Sequence, residues 1–356
     1  MYSILSFSKA QIDVEHNVGW IRYRFIHPTN LNVYKSERLG YRIMKIIESI
    51  SQANAYVTSL KARGQTIGFV PTLGGLHKGH QRLMQRARAE NDVTIISIFL
   101  NPMQFRKKQF LEYPSNFEHD KFVATETYVD MVFHPAVKEM FQYVEQIDDF
   151  FRFQEDEFMQ RHDEHFVIEA QDNNGIDNLI RVPKNLVYQL DGKMHPWFFD
   201  GSATIVYRLL KILQPNNAYF GEKDIQQLAI IMRMVDAYFP HTKVVGVPTL
   251  READNLAFSS RNVRLSEEQR CAALSVYHAL KHGENLIREG ESDAGIVLNA
   301  MKKIIEIQPL VKIDYIDIDK RLLESVRQIS ADIVLYAAFF VNGIRLTDTF
   351  IVEQQY

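Results

Sequence analysis

Cysteine is nearly absent: the 356 residues contain one, Cys271. A single thiol excludes an internal disulfide framework and a metal cluster built from cysteines. Cys271 falls in a helix-like run, residues 267–286, where it reads as a packing residue rather than a nucleophile. Long apolar runs are missing as well. No stretch approaches the length of a membrane span, and no basic segment followed by an apolar one opens the chain. A cytoplasmic location without a membrane partner is the expectation. Charge of one sign is not in excess either, with 41 Lys and Arg against 44 Asp and Glu. That balance argues against nucleic acid as a partner. Neither an internal repeat nor a low-complexity tract is evident. What is there, 46% hydrophobic and 24% charged residues, is the profile of an ordinary globular chain with room for two domains.

Between residues 66 and 248 short apolar runs alternate with longer helix-like ones. Strands are expected at 66–70, 93–100, 129–133, 217–220 and 244–247, and helices at 81–90, 117–125, 202–213 and 225–238. That alternation implies an α/β fold, a Rossmann-like parallel sheet covered on both faces, with ligands beyond the carboxyl ends of the strands. After Arg261 the character changes. Ser266-Glu267-Glu268-Gln269 looks like a helix start, and a second helix is expected at 293–306. Strands follow at 312–319, 333–341 and 344–352, the last two flanking an Asn342-Gly343 hairpin turn. The organisation is therefore a parallel-sheet domain over 44–248 and a smaller α+β domain over 249–356, placed to close as a lid. Residues 1–43 show no clear period, whereas Met44-Lys45-Ile46-Ile47-Glu48 opens an amphipathic pattern. Met44 is the expected true start, and 1–43 an extension outside the domain. Residues 145–172 form an acidic and aromatic insertion that reads as a solvated face.

The chemistry concentrates in a few turns. Gly68-Phe69-Val70-Pro71-Thr72-Leu73-Gly74-Gly75-Leu76-His77-Lys78-Gly79-His80 is an apolar strand that breaks into a glycine turn and presents two histidines at the start of a helix. Glycines let backbone N–H groups approach a phosphate, and a helix N-terminus adds partial positive charge. Downstream lie Gly221-Glu222-Lys223-Asp224 and Phe258-Ser259-Ser260-Arg261-Asn262. Activating a carboxylic acid as an acyl adenylate is mainly a matter of positioning and of neutralising charge on phosphate oxygens. His77, His80, Lys223, Arg261 and the hydroxyls of Ser259 and Ser260 suit that task, while Gln104 and Gln227 offer uncharged amides for a hydroxyl or carboxylate. Blander roles compete: helix capping for the histidines, a solvated loop for Lys223, and an ion pair with Glu267 or Glu268 for Arg261. His119, His134, His162, His165, His241, His278 and His282 read as surface or packing residues. His162 and His165 lack a third metal ligand.

The runs at 69–80, Phe99-Leu100-Asn101-Pro102-Met103-Gln104-Phe105, 219–228, 245–254 and 256–262 together resemble the pantothenate synthetases (pantoate–β-alanine ligases), a family of the nucleotidylyltransferase superfamily with HIGH-type motifs. The resemblance runs from about Met44 to the C-terminus. It implies a nucleotidylyltransferase domain that makes a pantoyl adenylate from pantoate and ATP with Mg²⁺, then lets β-alanine displace AMP. It places ATP on Leu73, Gly74, Gly75, Leu76, His77, Lys78, Gly79 and His80, with His80 as the catalytic histidine. Gly221, Glu222, Lys223, Asp224, Leu250, Phe258, Ser259, Ser260 and Arg261 complete that site, His77, Lys223 and Arg261 sharing in catalysis. Gln104 and Gln227 would hold pantoate, Gln104 lying also near β-alanine. Members are typically homodimers. Where the family usually reads Arg-Pro-Gly-His-Phe, this chain has His195-Pro196-Trp197-Phe198-Phe199 before Asp200-Gly201. A permanent guanidinium has become an imidazole. The alternatives are a paralogous ligase acting on another acid or amine, a simple nucleotidylyltransferase, and a non-catalytic scaffold using the acidic insertion.

Overall fold

The computed structural model describes residues 12–17, 20–26, 32–36, 39–113, 115–142, 144, 146–152, 162–171 and 177–353. In chain order, β1 (Ile12–Asn17), β2 (Trp20–Ile26), β3 (Asn32–Ser36) and β4 (Leu39–Ile43) pair as an antiparallel meander. There follow β5 (Lys45–Ile47), α1 (Ile50–Lys61), β6 (Ile67–Thr72), α2 (Lys78–Glu90), β7 (Val93–Ile98), α3 (Lys107–Leu111), α4 (Phe117–Glu126) and β8 (Met131–Phe133). Next come α5 (Val137–Met140), α6 (Asp148–Arg152), the antiparallel pair β9 (Val167–Gln171) and β10 (Asp177–Arg181), and α7 (Lys184–Val187). The chain continues with α8 (Pro196–Leu213), β11 (Asn217–Gly221), α9 (Ile225–Tyr238) and β12 (Lys243–Val247). Last are α10 (Glu267–Arg288), α11 (Ala294–Glu306), β13 (Val311–Lys320), β14 (Ile333–Val341) and β15 (Ile344–Val352).

Six strands form one parallel sheet in the order β12-β11-β6-β7-β8-β5. Alternation along these strands sends successive side chains to opposite faces. Phe69, Ile95, Met131 and Phe133 join one buried cluster with α1, α8 and α9, while Val70, Ile96, Val132 and Tyr219 join another with Met84 and Ala87 of α2. Both faces are thus dry, which is why the strands read as nearly continuous apolar runs. The chain builds from β6 outward through β7 and β8, then returns to the other flank of β6 with β11. The switch point lies between β6 and β11, where a crevice opens at the carboxyl ends. The ladder records only Asn217↔Gly68 and Ala218↔Phe69 between these two strands, against six pairs between β6 and β7. They part toward the loops that carry the histidine and lysine motifs.

The C-terminal elements form a second unit of packing. Helices α10 and α11 bury Val276, Leu280, Val297 and Met301 against the three-stranded antiparallel sheet β13-β14-β15. Ser266 caps α10 and exchanges reciprocal hydrogen bonds with Gln269, as its sequence foretold. The turn at Asn342 and Gly343 has positive φ at both residues, joining β14 to β15 in register.

Four readings of the sequence need correction. The amphipathic pattern said to open at Met44 is an edge strand: Lys45–Ile47 pairs with Met131–Phe133, and the helix starts only at Ile50, capped by Ser49. A run of three residues is too short for its period to separate strand from helix, so pairing decides. Helix α8 starts at Pro196, six residues before the expected 202, with proline in its first turn. Cys271 is exposed rather than packed. The insertion is only half solvated, since Phe150 is fully buried against Phe141 at 4.9 Å between ring centroids, while Asp148 reaches out to Lys107 at 2.7 Å. Its Glu155, Asp156, Glu157 and Phe158 lie outside the described residues. The segment at 12–43, which has no period of its own, pairs with itself as strands.

Candidate active site

Two consecutive residues with positive φ, Gly74 (+91°) and Gly75 (+65°), turn the chain sharply after β6. Only glycine takes such a pair without strain. The expected use of this turn, backbone N–H groups offered to a phosphate, is corrected by what those groups bond. Gly75 N–H and Leu76 N–H both donate to the buried carboxylate of Asp120, at 2.9 and 2.6 Å. Tyr113 O–H donates to Gly74 O at 3.1 Å. His77 N–H donates to His80 Nδ1 at 3.3 Å, and Gly79 N–H to His77 Nδ1 at 3.1 Å, so the two imidazoles cap α2 between them.

Capping and ligand binding are not exclusive here. Each Nδ1 accepts a hydrogen bond and so carries no proton, which puts the proton of each neutral ring on Nε2. Burial pushes His80 down to about 3, with His77 adding to the effect. Burial also lowers His77, and the nearby Lys223 ammonium lowers it further. Both rings are neutral at pH 7 and act as N–H donors, not cations. Their centroids lie 4.0 Å apart, and Phe258 packs against His77 at 5.2 Å.

Lys223 sits at the carboxyl end of β11, across the crevice. Its Nζ donates to Thr347 Oγ1 of β15 at 3.1 Å and lies 3.7 Å from Asp224. The Glu222 carboxylate turns to Arg321 at 3.3 Å, away from the imidazoles. Leu250 O accepts from Phe258 N–H at 2.8 Å, closing a small hairpin whose turn uses Asn255 at φ +75°. Arg270 fixes this hairpin to α10 through Glu252 and Asp254 at 2.8 and 2.6 Å. Ser259 Oγ accepts from Arg261 N–H, and Arg261 Nη1 donates to Arg345 O at 2.9 Å rather than pairing with Glu267 or Glu268. Ser260 and Lys78 are exposed. Ser259, Thr347 and Asp348 line one gap of about 10 Å³, too small for a ligand, which shows how tightly the hairpin meets β15.

The two glutamines meet the same part of α8. Buried Gln104 accepts from Asn101 Nδ2 at 3.0 Å, and the same amide of Asn101 donates to Gly201 O at 3.0 Å. Gln227 Nε2 donates to Ser202 Oγ at 2.9 Å. A Cβ on Gly201 would stand 2.7 Å from Met103 O, so glycine permits this close approach. His195, at the start of α8, is edge-on to Trp197 at 5.8 Å. Partial burial lowers its pKa, and Arg106, two residues beyond Gln104, lowers it further.

The structure therefore brings His77, His80, Lys223 and Phe258 to one corner, with Gln104 and Gln227 joined through Gly201 and Ser202. Asp120 was missed as the clamp of the loop. Its signal was available: Asp120, Val123 and Ala124 share the buried face of α4, and a carboxylate on an apolar face demands a partner. His162, read as packing, is buried between Tyr188 O–H and the Asp200 carboxylate at 2.8 and 3.0 Å.

Comparison with known proteins shows the family. The model of the family "Pantoate-beta-alanine ligase" matches residues 45–351. The chain belongs to this family. It is 38% identical over 311 residues to the pantothenate synthetase of Thermotoga petrophila, covering 87% of this chain and 100% of that one. Against the Moorella thermoacetica pantothenate synthetase it is 39% identical, with 87% and 99% covered. Among solved structures, pantothenate synthetase from Thermus thermophilus superposes with a TM-score of 0.71 at 32% identity, over 87% of this chain and all of that one. The pantoate–β-alanine ligase of Francisella tularensis, complexed with β,γ ATP and β-alanine, gives 0.60 at 28%, over 88% and 99%. As in these relatives, a six-stranded parallel sheet carries a C-terminal three-stranded antiparallel one.

Proposed function

We propose that this pantoate–β-alanine ligase works in two steps at the β6–β11 crevice. A carboxylate oxygen of (R)-pantoate attacks the α-phosphorus of ATP, forming an O–P bond as the bond to the bridging oxygen of pyrophosphate breaks. The β-alanine nitrogen then attacks the acyl carbon of the pantoyl adenylate. AMP leaves with the electron pair of the C–O bond, the nitrogen gives up a proton, and pantothenate remains. The observation that carries this reading is the meeting of two neutral imidazoles, the Lys223 ammonium and the Phe258 segment where the family's ATP motifs stand.

On this reading the Nε2–H groups of His77 and His80 donate to phosphate oxygens, with their direction fixed by the Nδ1 bonds. Lys223 and Arg261 neutralise the charge that grows on the departing pyrophosphate. Leu73 through His80 line the nucleotide, held in shape by Asp120 and Tyr113. Gly221, Leu250, Phe258, Ser259 and Ser260 complete the wall, and the ATP contact of Glu222 falls to its backbone. The amides of Gln104 and Gln227 hold pantoate. Mg²⁺ suits the donor set: it keeps waters, takes phosphate oxygens and needs one or two carboxylates. The described residues hold no group of three that would bind a metal alone, and Asp224, exposed beside Lys223, is the carboxylate available. When bound, the ion supplies further neutralisation of phosphate charge.

Residues 249–356 form the lid domain, with 1–43 outside the catalytic unit. A cytoplasmic homodimer goes with the reading. No helix among the described residues is long and apolar enough to cross a membrane. Mass spectrometry of products after incubation with ATP, Mg²⁺, pantoate and β-alanine should show pantothenate and AMP in equal amounts. Absence of both would sink the proposal. A second reading, a ligase for another acid or amine, rests on the aromatic run at the start of α8, where Trp197, Phe198 and Phe199 stack edge-on in sequence. ATP–pyrophosphate exchange that ignores pantoate but responds to another hydroxy acid would favour it.

A further inference from the structure

We infer that Thr347, on the edge strand β15, is a positioning residue for the active-site ammonium of Lys223. This rests on the role proposed above for that lysine. In a strand, side chains two residues apart share a face, and Thr347 and Thr349 present theirs to the turn at 221–224. Thr347 Oγ1 accepts from Lys223 Nζ at 3.1 Å, and Thr349 Oγ1 donates to Lys223 O at 3.1 Å. The lysine is thus held at both ends of its length by one strand of the C-terminal sheet. Two positions earlier, Arg345 O accepts from Arg261 Nη1 at 2.9 Å. The anchor points of the two phosphate cations are therefore about 7 Å apart along one strand.

The strand itself has little freedom. Asp348, buried between the two threonines, forms a two-pronged pair with Arg251 at 2.9 Å for each bond, and that guanidinium stacks on Phe350 at 4.4 Å. A lysine side chain has four rotatable bonds and one strongly hydrated charge, so on its own it samples many positions. A single hydroxyl acceptor takes one of the three ammonium donors and leaves two for phosphate oxygens. The ion pair with Asp224 at 3.7 Å is too long and too exposed to fix the ammonium. Positioning falls to Thr347, whose side chain adds no charge that would compete with the substrate.

The experiment replaces Thr347 with valine, which keeps shape and removes the hydroxyl, and with serine, which keeps the hydroxyl. Lys223→Ala is the reference. ATP–pyrophosphate exchange is measured with pantoate and Mg²⁺, and the titration midpoint of His77 is followed by NMR in the ligand-free protein. Thr347→Val should lower kcat about five- to tenfold and raise the His77 midpoint, because the ammonium beside it is no longer held. Thr347→Ser should restore both. Wild-type exchange in Thr347→Val, with Lys223→Ala strongly impaired, overturns the positioning role and leaves the site intact. Reduced exchange with an unmoved His77 midpoint also overturns it, marking a packing effect. Wild-type exchange in Lys223→Ala overturns the role of the lysine itself and the inference with it.

Discussion

The two sides of the corner proposed to hold the nucleotide are built by opposite means. On the glycine-turn side both hydrogen bonds that orient the imidazoles are made within four residues, His77 to Gly79 and His80, with Asp120 and Tyr113 bracing the turn. On the cation side Lys223 and Arg261 are oriented by a strand 124 and 84 residues further along the chain. Neutral donors are easily held in a buried loop, because no charge must be desolvated. Charged donors keep one flank in water and need an outside acceptor to fix them. Local order therefore serves the imidazoles, and tertiary order serves the cations.

The comparison can be broken most directly by deletion on either side. His80→Ala and Lys223→Ala should each cut exchange by about 10²-fold. Circular dichroism should show both folded. The former should also lose about 1 kcal/mol of stability with its helix cap, and the latter much less. Equal melting losses in the two would erase the distinction between local and tertiary support. Gln104→Leu should raise the KM for pantoate about tenfold and leave that for ATP unchanged, since a buried amide is lost from the acid half alone. A shift in the ATP constant of similar size would merge the two halves.

The pH dependence sharpens the local side. His80 takes a proton near 6.5 when unfolded but only at about 3 when folded. Between those values the unfolded chain binds more protons, so stability rises with pH and is complete above 6.5. Going from pH 7 to pH 5 should cost about 2 kcal/mol from this group. Urea unfolding at the two pH values should show a loss in His80→Gln smaller than that of the wild type by about 2 kcal/mol, the remainder coming from other lowered groups such as His77. Last and smallest, Tyr113→Phe should cost about 1 kcal/mol of stability and slow exchange no more than a few-fold.

Much of this was legible in the chain itself. Strands β6, β7, β8, β11 and β12, with helices α2, α4, α8 and α9, follow from apolar runs and period because the sheet is buried on both faces, whereas the antiparallel pair β9 and β10, outside that sheet, was not read from the sequence. The histidine pair and Lys223 stood out as turns after strands, and the Phe258 segment as a motif near the junction of the two domains. What stayed hidden depends on partners far away in sequence. Asp120 clamps a turn some 45 residues earlier; its place on the buried face of α4 says that it needs a partner but not which one. β5 owes its existence to pairing with β8, not to its own three residues. The early start of α8 was readable from Pro196, because proline suits the first turn of a helix.

The distance along the chain between Lys223 and Thr347 has a consequence for biosynthesis. A ribosome adding about 5–20 residues per second needs on the order of ten seconds to make the 124 residues that separate them. Once β12 has been made, for the later part of that interval, the parallel sheet can already be complete, with its glycine turn shaped and its imidazoles set. The ammonium, meanwhile, swings free. With the site proposed above, a nascent chain of this kind would be able to recognise ATP well before it could turn it over.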